Sequence, residues 1–457
     1  MITQETQKET EGCTDSAGES AKRWGAVVNL FSIKYTKGQA HAPIRVLIFY
    51  LSRCGAKIKT MKTLLYGFSL LTLCLFFSCT NDDDMSGPGG TDIRAEVLPC
   101  RIESDRVLTD RNPDGADYIV DCRELEIYGG TVTVEPGTTI QLTNGSSIDV
   151  GNDGRLSAVG TANEKIRFVG TDGGTAPTWG YIFFNNTNAG NRLEHVIVEN
   201  GGTEELLFFE RTTIALEGTL AMNNVTVRYS GGNGFTANTP LNPVNITEFR
   251  NNTFSDNAGV PISVTPEEVA ALDLTTCTFA NNGEDVIRVG RDLSANARLD
   301  TESTWLAGPI PYLIHNGIDI TEGLTIEAGT EVIFESGASL EVVRYDGSAY
   351  LTVNGTEERP VIMRGEVSVP GAWPGILVET SNVRNVFNHL DISDGGEVFL
   401  SPFDVGRGNI TLYFEEARLT LNDCTSTRTE CEVVLDNQLG EVQLTNNSPA
   451  ITDICSN

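Results

Sequence analysis

Short stretches in which apolar and polar residues alternate run through most of the chain beyond residue 118. Examples are Thr-Val-Thr-Val at 131–134 and Ile-Arg-Phe-Val at 166–169. Alternation with a period of two predicts strands that bury one face. Glycine and asparagine interrupt these stretches every five to nine residues, and no long helical pattern occurs. The pattern therefore predicts an all-β body made of many short strands.

A short period relates neighbouring groups of strands. TFSDNAGVPISV (253–264) and TFANNGEDVIRV (278–289) match at an offset of 25, which aligns Phe254 with Phe279, Asn257 with Asn282, and Ile262 with Ile287. Units of this length predict a parallel β-helix, in which turn asparagines tolerate the left-handed conformation and form ladders between coils. One coil buries about six apolar side chains at roughly 1.5–3 kcal/mol each, whereas ordering costs roughly 1–2 kcal/mol per residue. Coils must therefore stack on one another to be stable.

A longer repeat relates two halves of the body at an offset near 194. Five pairs of segments match in the same order: 118–120 with 312–314, 134–142 with 326–334, 154–170 with 349–365, 179–184 with 373–378, and LEHVIVENGG (193–202) with FNHLDISDGG (387–396). Matches in one order predict an internal duplication. We expect one β-helix half at 99–300 and the other at 301–457.

Several phrases of these repeats resemble a known family. They include V-x-P-G-T at 134–138, W-G-x-I at 179–182, L-x-V-x-G-T at 351–356 and the two His-containing stretches above. Together they resemble the right-handed β-helix repeat lipoproteins of Bacteroidetes over about 118–260 and 312–396, and less closely over 397–457. The resemblance implies a right-handed parallel β-helix solenoid. Because the activity of that family is largely uncharacterised, the resemblance implies no reaction.

Residues 61–84, MKTLLYGFSLLTLCLFFSCTNDDD, have the order of a secretory signal. Met61 and Lys62 precede an apolar run that is shorter than the ~20 residues a membrane span needs. Ser78 and Cys79 then resemble the lipobox of bacterial lipoproteins, although Phe76 stands where leucine is usual. The resemblance implies a signal peptide at 61–78 and lipidation of Cys79. An ordinary signal peptide with a chance cysteine is the alternative.

The residues after Cys79 extend this interpretation. Thr80–Asp84 resemble the export signal of Bacteroidetes surface lipoproteins, with a solvated linker as the alternative. A Gly/Pro-rich run then completes a tether at 79–98. Because a signal peptide acts at the N-terminus, we expect translation to start at Met61 and residues 1–60 to be a mis-assigned upstream extension. The protein is thus expected to be an outer-membrane lipoprotein exposed at the cell surface, held to the membrane by its lipid anchor.

Charge is distributed unevenly along the chain. Ten of the 32 Lys and Arg residues and five of the 62 Asp and Glu residues precede Cys79, so the remainder carries a formal charge of −35. Only one of the eight lysines, Lys165, lies beyond Cys79. Such an acidic surface repels nucleic acids and anionic membrane surfaces, and both are excluded as partners.

Six cysteines lie beyond Cys79, at positions 100, 122, 277, 424, 431 and 455. In an exported protein they predict disulfides, and six cysteines allow fifteen pairings. We expect Cys100 with Cys122 at the N-terminal end, and Cys424 with Cys431 across a short loop. Cys277 is expected to be a small buried hydrophobic residue. No CxxC pair or Cys/His cluster indicates zinc.

No catalytic residue is predicted. The Asp pair, Asn-Thr-Asp and Gly-His-Gly of polygalacturonase-like β-helix enzymes do not occur in the body. A lyase would need a basic residue to abstract a proton, and Lys165 falls at a turn. His195 and His389 occupy equivalent positions of the repeat, and alternation would place His195 on one face with Leu193 and Glu199. A residue repeated in this way is typically structural, so both histidines are expected to support the scaffold.

Two kinds of ligand contact are conceivable from the residue types alone. Asn152-Asp153-Gly154 and Asp391–Asp394 offer the oxygen ligands that calcium prefers, although no EF-hand spacing or nonapeptide Asp repeat is present and solvated turn carboxylates are favoured. The aromatic rings that could stack on sugars belong to Trp179, Trp305 and Trp373. Since two of these are repeat equivalents, packing is the favoured interpretation for them.

The sequence therefore predicts a lipid-anchored envelope protein whose β-helix is a non-catalytic binding or structural scaffold. Polysaccharides or other surface macromolecules are the expected partners, and no cofactor is expected. The alternative is a polysaccharide-degrading lyase or glycosidase with an unrecognised site. A cleft of converging acids, arginines and aromatics would favour the enzyme.

Overall fold

The computed structural model describes residues 25–32, 45–52 and 94–456, apart from 172, 207–209, 239–243, 292–295, 344–346, 398–407 and 438–439. The chain divides into two units, Met1–Pro88 and Gly89–Asn457. In the first unit β1 (Gly25–Ser32) pairs antiparallel with β2 (Arg45–Ser52). The predicted signal peptide, the lipidation residue Cys79 and positions 79–93 of the tether lie outside the described residues. None of the described helices is long and apolar enough to cross a membrane.

The second unit consists of five sheets whose paired strands run parallel. The long sheet passes through both halves and has thirteen strands: β4 (Arg101–Ile102), β7 (Glu124–Ile127), β10 (Ser147–Val150), β13 (Ile182–Phe184), β16 (Thr212–Leu216), β19 (Asn233–Ala237), β22 (Ile262–Val264), β24 (Ile287–Gly290), β27 (Tyr312–His315), β30 (Glu331–Phe334), β33 (Val361–Gly365), β36 (Leu390–Ser393) and β39 (Thr425–Thr427).

Two further sheets belong to the N-terminal half. Sheet N6 has six strands: β5 (Arg106–Leu108), β8 (Thr131–Val134), β11 (Arg155–Val159), β14 (Arg192–Glu194), β17 (Thr219–Asn223) and β20 (Asn245–Arg250). Sheet N8 has eight: β3 (Glu96–Val97), β6 (Tyr118–Val120), β9 (Thr139–Leu142), β12 (Ile166–Gly170), β15 (Val196–Glu199), β18 (Thr226–Arg228), β21 (Thr253–Ser255) and β23 (Thr278–Ala280).

The remaining two sheets belong to the C-terminal half. Sheet C7 has seven strands: β25 (Ala297–Leu299), β28 (Ile318–Ile320), β31 (Leu340–Val342), β34 (Ile376–Val378), β37 (Gly408–Leu412), β40 (Cys431–Leu435) and β42 (Ile454–Ser456). Sheet C6 has six: β26 (Ser303–Trp305), β29 (Gly323–Glu327), β32 (Tyr350–Asn354), β35 (Val386–Asn388), β38 (Arg418–Asn422) and β41 (Gln443–Asn447).

The order of strands along the chain defines a three-sided coil. From β4 to β21 the chain passes repeatedly from the long sheet to N6 and then N8, and from β24 to β41 it passes from the long sheet to C7 and then C6. Each strand pairs with the strand on the same side one coil later, which is the arrangement of a parallel β-helix. The predicted fold class is confirmed. Because the long sheet contains strands of both halves, the body is one continuous solenoid.

Segments matched by the 194-residue repeat lie on neighbouring sides of the solenoid. β12 of N8 matches β33, which lies on the long sheet. β33 comes 21 strands after β12, and because 21 is a multiple of three, a regular three-sided coil would place both strands on the same side. One side of the coil between β22 and β23 has no strand, however, and two 3-10 turns, Val269–Ala271 and Leu274–Thr276, stand there in place of an N6 strand. The second half is therefore displaced by one side of the coil. The duplication and the hand of the coil stay predictions.

The 25-residue period predicted from the sequence is confirmed at each of its three aligned pairs. Phe254 and Phe279 are strand partners whose rings stack with centroids 5.9 Å apart. Ile262 and Ile287 are also strand partners. Asn257 Nδ2 donates to Asn282 Oδ1 at 2.8 Å, which forms the expected ladder between coils.

The left-handed conformation at these turns belongs to the preceding residues. Asp256 has a φ of 56° and Asn281 a φ of 57°, whereas Asn257 and Asn282 do not have positive φ angles. Asparagine and aspartate tolerate this conformation better than most residues. At each turn, therefore, one residue adopts the left-handed conformation and the next residue forms the hydrogen bond between coils.

Candidate functional site

His195 and His389 are corner residues of the coil. Their φ angles are 51° and 44°, in the left-handed region where Asn, Asp and His are enriched. His195 joins β14 to β15, and Asn224, one coil further along the same corner, has a φ of 55°. The predicted alternation across His195 is wrong. The corner changes which positions face the core, so Leu193 and Val196 are both buried although they are three positions apart. Their backbone geometry accounts for both histidines.

Glu199 is an ion-pairing residue of sheet N8. Its Oε1 lies 2.6 Å from Arg167 Nη2, and its Oε2 lies 2.6 Å from Arg228 Nη2. The two arginines come from β12 and β18, the strands on either side of β15. Glu199 therefore links three successive coils, and its carboxylate is already fully engaged with guanidinium groups.

The three tryptophans are buried, as the packing interpretation expects, so the alternative of glycan contact at these rings is wrong. Trp179 and Trp373 have 0% exposure and Trp305 has 1%. Trp373 stacks on Phe334 with ring centroids 3.8 Å apart, and Trp305 packs against Tyr312 at 5.3 Å. A ring can stack on a sugar only if one of its faces is exposed. The repeat places these rings inside the solenoid, where they serve packing.

The disulfide in the structure joins Cys431 to Cys455, and the prediction of Cys424 with Cys431 is wrong. Cys431 and Cys455 are 24 positions apart, which is about one coil. They lie on the paired strands β40 and β42 of sheet C7, with Cα atoms 6.3 Å apart. Cys424 instead is buried on another side of the coil, where its Sγ lies 3.3 Å from the main-chain oxygen of Phe387. Cys277 is buried as predicted.

Cys100 and Cys122 are free thiols in the structure, and they lie in contact. Burial, together with the hydrogen bond and charge of Cys100, raises the pKa of the Cys122 thiol to about 12. The two residues are close enough to interact although no bond joins them. The disulfide expected from the sequence stays a prediction.

The calcium candidate segment Asp391–Asp394 holds two carboxylates that both have partners, and Asn152-Asp153-Gly154 holds a single carboxylate. Asp394 accepts hydrogen bonds from Arg428 and from Ser393 Oγ at 2.8 Å, and although burial opposes it, these contacts lower its pKa. Asp391 accepts from Thr425 Oγ1 at 2.6 Å. Within the described part of the chain, Cys431, Asp453 and Cys455 are the one group of three His, Cys, Asp or Glu side chains close enough to share a metal ion, and two of these form the disulfide.

A groove with a cavity of about 290 Å³ lies on the outer face of the long sheet, where the two halves meet. Arg288 projects outward from β24 because its neighbours Ile287 and Val289 point into the core. On the next strand, β27, Leu313 and His315 also face outward. Glu335, which directly follows β30, and Glu210 from the loop before β16 complete its charged wall.

These groups form one network of charge-assisted contacts. Arg288 Nη1 lies 2.7 Å from Glu210 Oε2, and Arg288 Nη2 lies 3.8 Å from Glu335 Oε1. His315 Nδ1 lies 2.6 Å from Glu335 Oε2 and 3.3 Å from Arg288 Nη2. Although burial opposes it, the hydrogen bond and charge of His315 and the charge of Arg288 lower the pKa of Glu335.

The groove presents more acids than bases. Glu366 occupies the position of Glu335 one coil further on, and Glu284 also lines the groove. Their carboxylates offer hydrogen-bond acceptors and a negative potential, while Arg288 is held by Glu210 and Glu335. The arrangement suits ligands rich in hydroxyl groups or carrying positive charge, and it repels polyuronates.

No sequence motif marks Arg288, His315 or Glu335, and none of the three was predicted as a site residue. The one available signal was asymmetry of the repeat, because position 121, 194 residues before His315, is an aspartate. A polar group present in only one half cannot be explained by the repeated architecture. The network itself joins segments 20 to 78 residues apart, which no local motif reveals.

No family model, curated protein or solved structure shows significant similarity to this chain.

Proposed function

We propose that this protein is a lipid-anchored protein of the outer membrane, exposed at the cell surface, whose β-helix is a non-catalytic binding scaffold. The lipobox-like Ser78-Cys79 and the acidic residues that follow support the anchor and the surface location. The repeat phrases, now accompanied by a parallel β-helix fold, support membership of the right-handed β-helix repeat lipoproteins of Bacteroidetes.

The state of the groove's ionisable groups carries the proposal of binding without turnover. Glu335 is held ionised by His315 and Arg288, so it cannot serve as a general acid near neutral pH. Arg288 is bound by two carboxylates and is not poised to neutralise a substrate carboxylate. These contacts favour recognition of a ligand over proton transfer to it.

Polysaccharides and other surface macromolecules are the proposed ligands of the groove. Its carboxylates are half-buried at Glu335 and exposed at Glu210, Glu284 and Glu366. Glu210 accepts from Asn233 Nδ2 at 3.2 Å, and Glu210 and Glu335 are held beside the guanidinium of Arg288. Fixed polar groups of this kind orient hydroxyl-rich ligands with little loss of side-chain entropy. Acidic polysaccharides would be repelled by the surrounding charge.

The test uses the detergent-solubilised full chain and a panel of polysaccharides. We expect retention by at least one member without new reducing ends, and at least tenfold weaker retention for Arg288→Gln. Arg250→Gln is the matched control, because Arg250 pairs with Glu248 on the surface of sheet N6. New reducing ends would instead establish the polysaccharide-degrading alternative. Retention that Arg288→Gln leaves unchanged would remove the groove from the proposal.

A further inference from the structure

A second polar surface lies on the same long sheet near its N-terminal end. Three adjacent strands, β7, β10 and β13, present outward-facing side chains there, and their register aligns Glu126 with Asp149 and Asp149 with Phe183. Glu124 lies two residues before Glu126, and Tyr181 directly precedes β13. Three carboxylates and two aromatic rings thus share one face of the sheet.

The contacts within this surface hold its groups in place without neutralising them all. Tyr181 donates its hydroxyl to Glu124 Oε1 at 3.5 Å, and the Tyr181 and Phe183 rings meet edge to face at 6.4 Å. Asn185 Nδ2 donates to Asp149 Oδ1 at 3.2 Å. Within the described chain neither Glu124 nor Asp149 forms an ion pair with lysine or arginine. The surface therefore retains two half-buried carboxylates beside a fixed aromatic pair.

Comparison with the second half separates the repeated part of this surface from the unique part. The column Arg101, Glu126, Asp149 in the first half has the counterpart Arg298, Asp319, Glu341 on sheet C7. In both halves the arginine pairs with the acid two residues later, Glu103 or Asp300. The acid pair is thus part of the repeated architecture and by itself indicates no ligand.

The additional groups occur in the first half alone. Tyr181, Phe183 and Glu124 correspond to Gly375, Leu377 and Gly317 in the second half. The repeated scaffold therefore does not require them. Half-buried aromatic rings beside unneutralised carboxylates also cost stability, and such local conflicts in natural proteins concentrate at binding sites.

We propose that Tyr181, Phe183, Asp149 and Glu124 form a binding site for a neutral sugar chain, separate from the Arg288 groove. The Tyr181 ring, which packs edge to face with Phe183, offers an apolar face to the C–H side of a pyranose ring. The carboxylates and the Asn185 amide bind its hydroxyl groups. Such a combination of apolar surface and a few oriented polar groups is what small-molecule sites provide.

The charge of the site discriminates between ligand classes. An anionic sugar chain would be repelled by Glu124 and Asp149. A cationic ligand would be attracted less strongly than the number of acids suggests, because Arg101 lies 2.7 Å from Glu126 and neutralises it. Burial, with the charges of Glu124 and Glu126, also raises the pKa of Asp149 to about 6, so that its charge is partly lost in mildly acidic surroundings. A neutral, hydroxyl-rich chain is not repelled by the carboxylates, and its binding does not depend on their full negative charge.

The test is native affinity electrophoresis of the detergent-solubilised full chain in gels containing xylan, mannan, laminarin or soluble starch, with polygalacturonate and poly-L-lysine as comparisons. At least one neutral polysaccharide is expected to retard the protein. Tyr181→Ala and Asp149→Asn are each expected to weaken that retardation at least tenfold. Glu341→Gln, at the equivalent position of the second half, is the matched control and should leave it unchanged.

Three outcomes would overturn the proposal. They are no retardation by any neutral polysaccharide, retardation that both site variants leave intact, and retardation by poly-L-lysine alone. Thermal unfolding of each variant confirms that a loss of binding is not a loss of fold. If Arg288→Gln abolishes retardation while Tyr181→Ala does not, the groove function stands and this site fails. If Tyr181→Ala abolishes retardation while Arg288→Gln does not, this site stands and the groove is not the binding site.

Discussion

Trp179 and Trp373 make the same hydrogen bond in the two halves of the solenoid. The indole nitrogen of each donates to the main-chain oxygen of the residue twenty positions later, Glu199 at 2.9 Å and Ser393 at 2.8 Å. Each bond joins the segment just before one strand to the end of the strand two places later in the chain, which is β15 for Trp179 and β36 for Trp373. The two rings are therefore fixed both by packing and by a buried polar contact.

Replacing Trp373 should show the size of both contributions. We expect Trp373→Phe to lower the free energy of unfolding by about 1 kcal/mol, because it removes the hydrogen bond but keeps a ring. Trp373→Ala should lower it by about 3–5 kcal/mol through the cavity it leaves. Chemical denaturation monitored by circular dichroism measures both values.

Trp305 supplies the control for that comparison. Its indole nitrogen is buried and has no hydrogen-bond partner within the described chain. Trp305→Phe removes an unsatisfied donor, so it should destabilise less than Trp373→Phe. A larger loss at Trp305 than at Trp373 would show that the bond to Ser393 contributes nothing measurable.

The corner conformation of His195 and His389 predicts which substitutions they accept. Asparagine adopts the left-handed region readily, so His195→Asn and His389→Asn together should change stability by less than about 1 kcal/mol. His195→Val should cost about 1–2 kcal/mol, because a β-branched side chain disfavours a positive φ. Thermal unfolding of the double Asn variant and of His195→Val provides the measurement. Loss of ligand binding in the folded Asn variant would assign the histidines a functional role.

Periodic features of this fold could be predicted from sequence because each residue sees the same environment one coil later. The stacking of Phe254 on Phe279 and the Asn257–Asn282 ladder follow directly from the 25-residue offset. The phase of the strands around His195 could not be predicted, since one left-handed residue reverses the alternation. Periodicity alone does not show where the chain turns a corner.

The candidate sites could not be predicted for a different reason. Arg288 reaches Glu210 across 78 residues and several strands, so the groove depends on the lateral stacking of coils. The surface around Asp149 joins three strands that are 23 to 34 residues apart in the chain. The false Cys424–Cys431 pair has the same origin. One coil brings residues that are distant in the chain together, whereas two cysteines only seven positions apart can lie on different sides of a corner.

The Cys431–Cys455 bond should be important for the C-terminal end of the solenoid. Closing a loop of this length stabilises a protein by about 2–4 kcal/mol, so Cys455→Ser should lower the unfolding free energy by that amount. Peptide mapping without reduction should recover the bond, together with a Cys100–Cys122 bond in protein isolated from an oxidising compartment. Cys424→Ser is the control for disulfide loss, and a crosslinked Cys424 peptide would contradict the assignment.

Lipidation at Cys79 can be tested independently of the fold. Cys79→Ser should abolish labelling by a fatty acid and release the protein from membranes, since the thiol is the proposed acceptor of the lipid. Cys74→Ser, within the same apolar run, is the matched control and should keep the label. If the surface location is right, external protease should digest the wild-type protein on intact cells. Protection until lysis would place it inside the envelope.

Glu268 should make the stability of the solenoid depend on pH. It precedes the first 3-10 turn, where burial and the charge of Glu267 raise its pKa to about 8. A carboxyl whose pKa is higher in the folded protein than in the unfolded chain contributes stability that is present below the unfolded pKa. That contribution falls as pH rises from about 4.5 and is lost as pH passes about 8.

Glu268→Gln removes this titration while it keeps the size of the side chain. At pH 9 the variant should be more stable than the wild type by on the order of 1–3 kcal/mol, and near pH 4 the two should be similar. Glu267→Gln should produce a smaller gain at pH 9, because it removes only the neighbouring charge. Urea denaturation at several pH values measures the differences. Parallel stability curves for wild type and Glu268→Gln between pH 4 and 9 would show that Glu268 is ionised in the folded state at neutral pH.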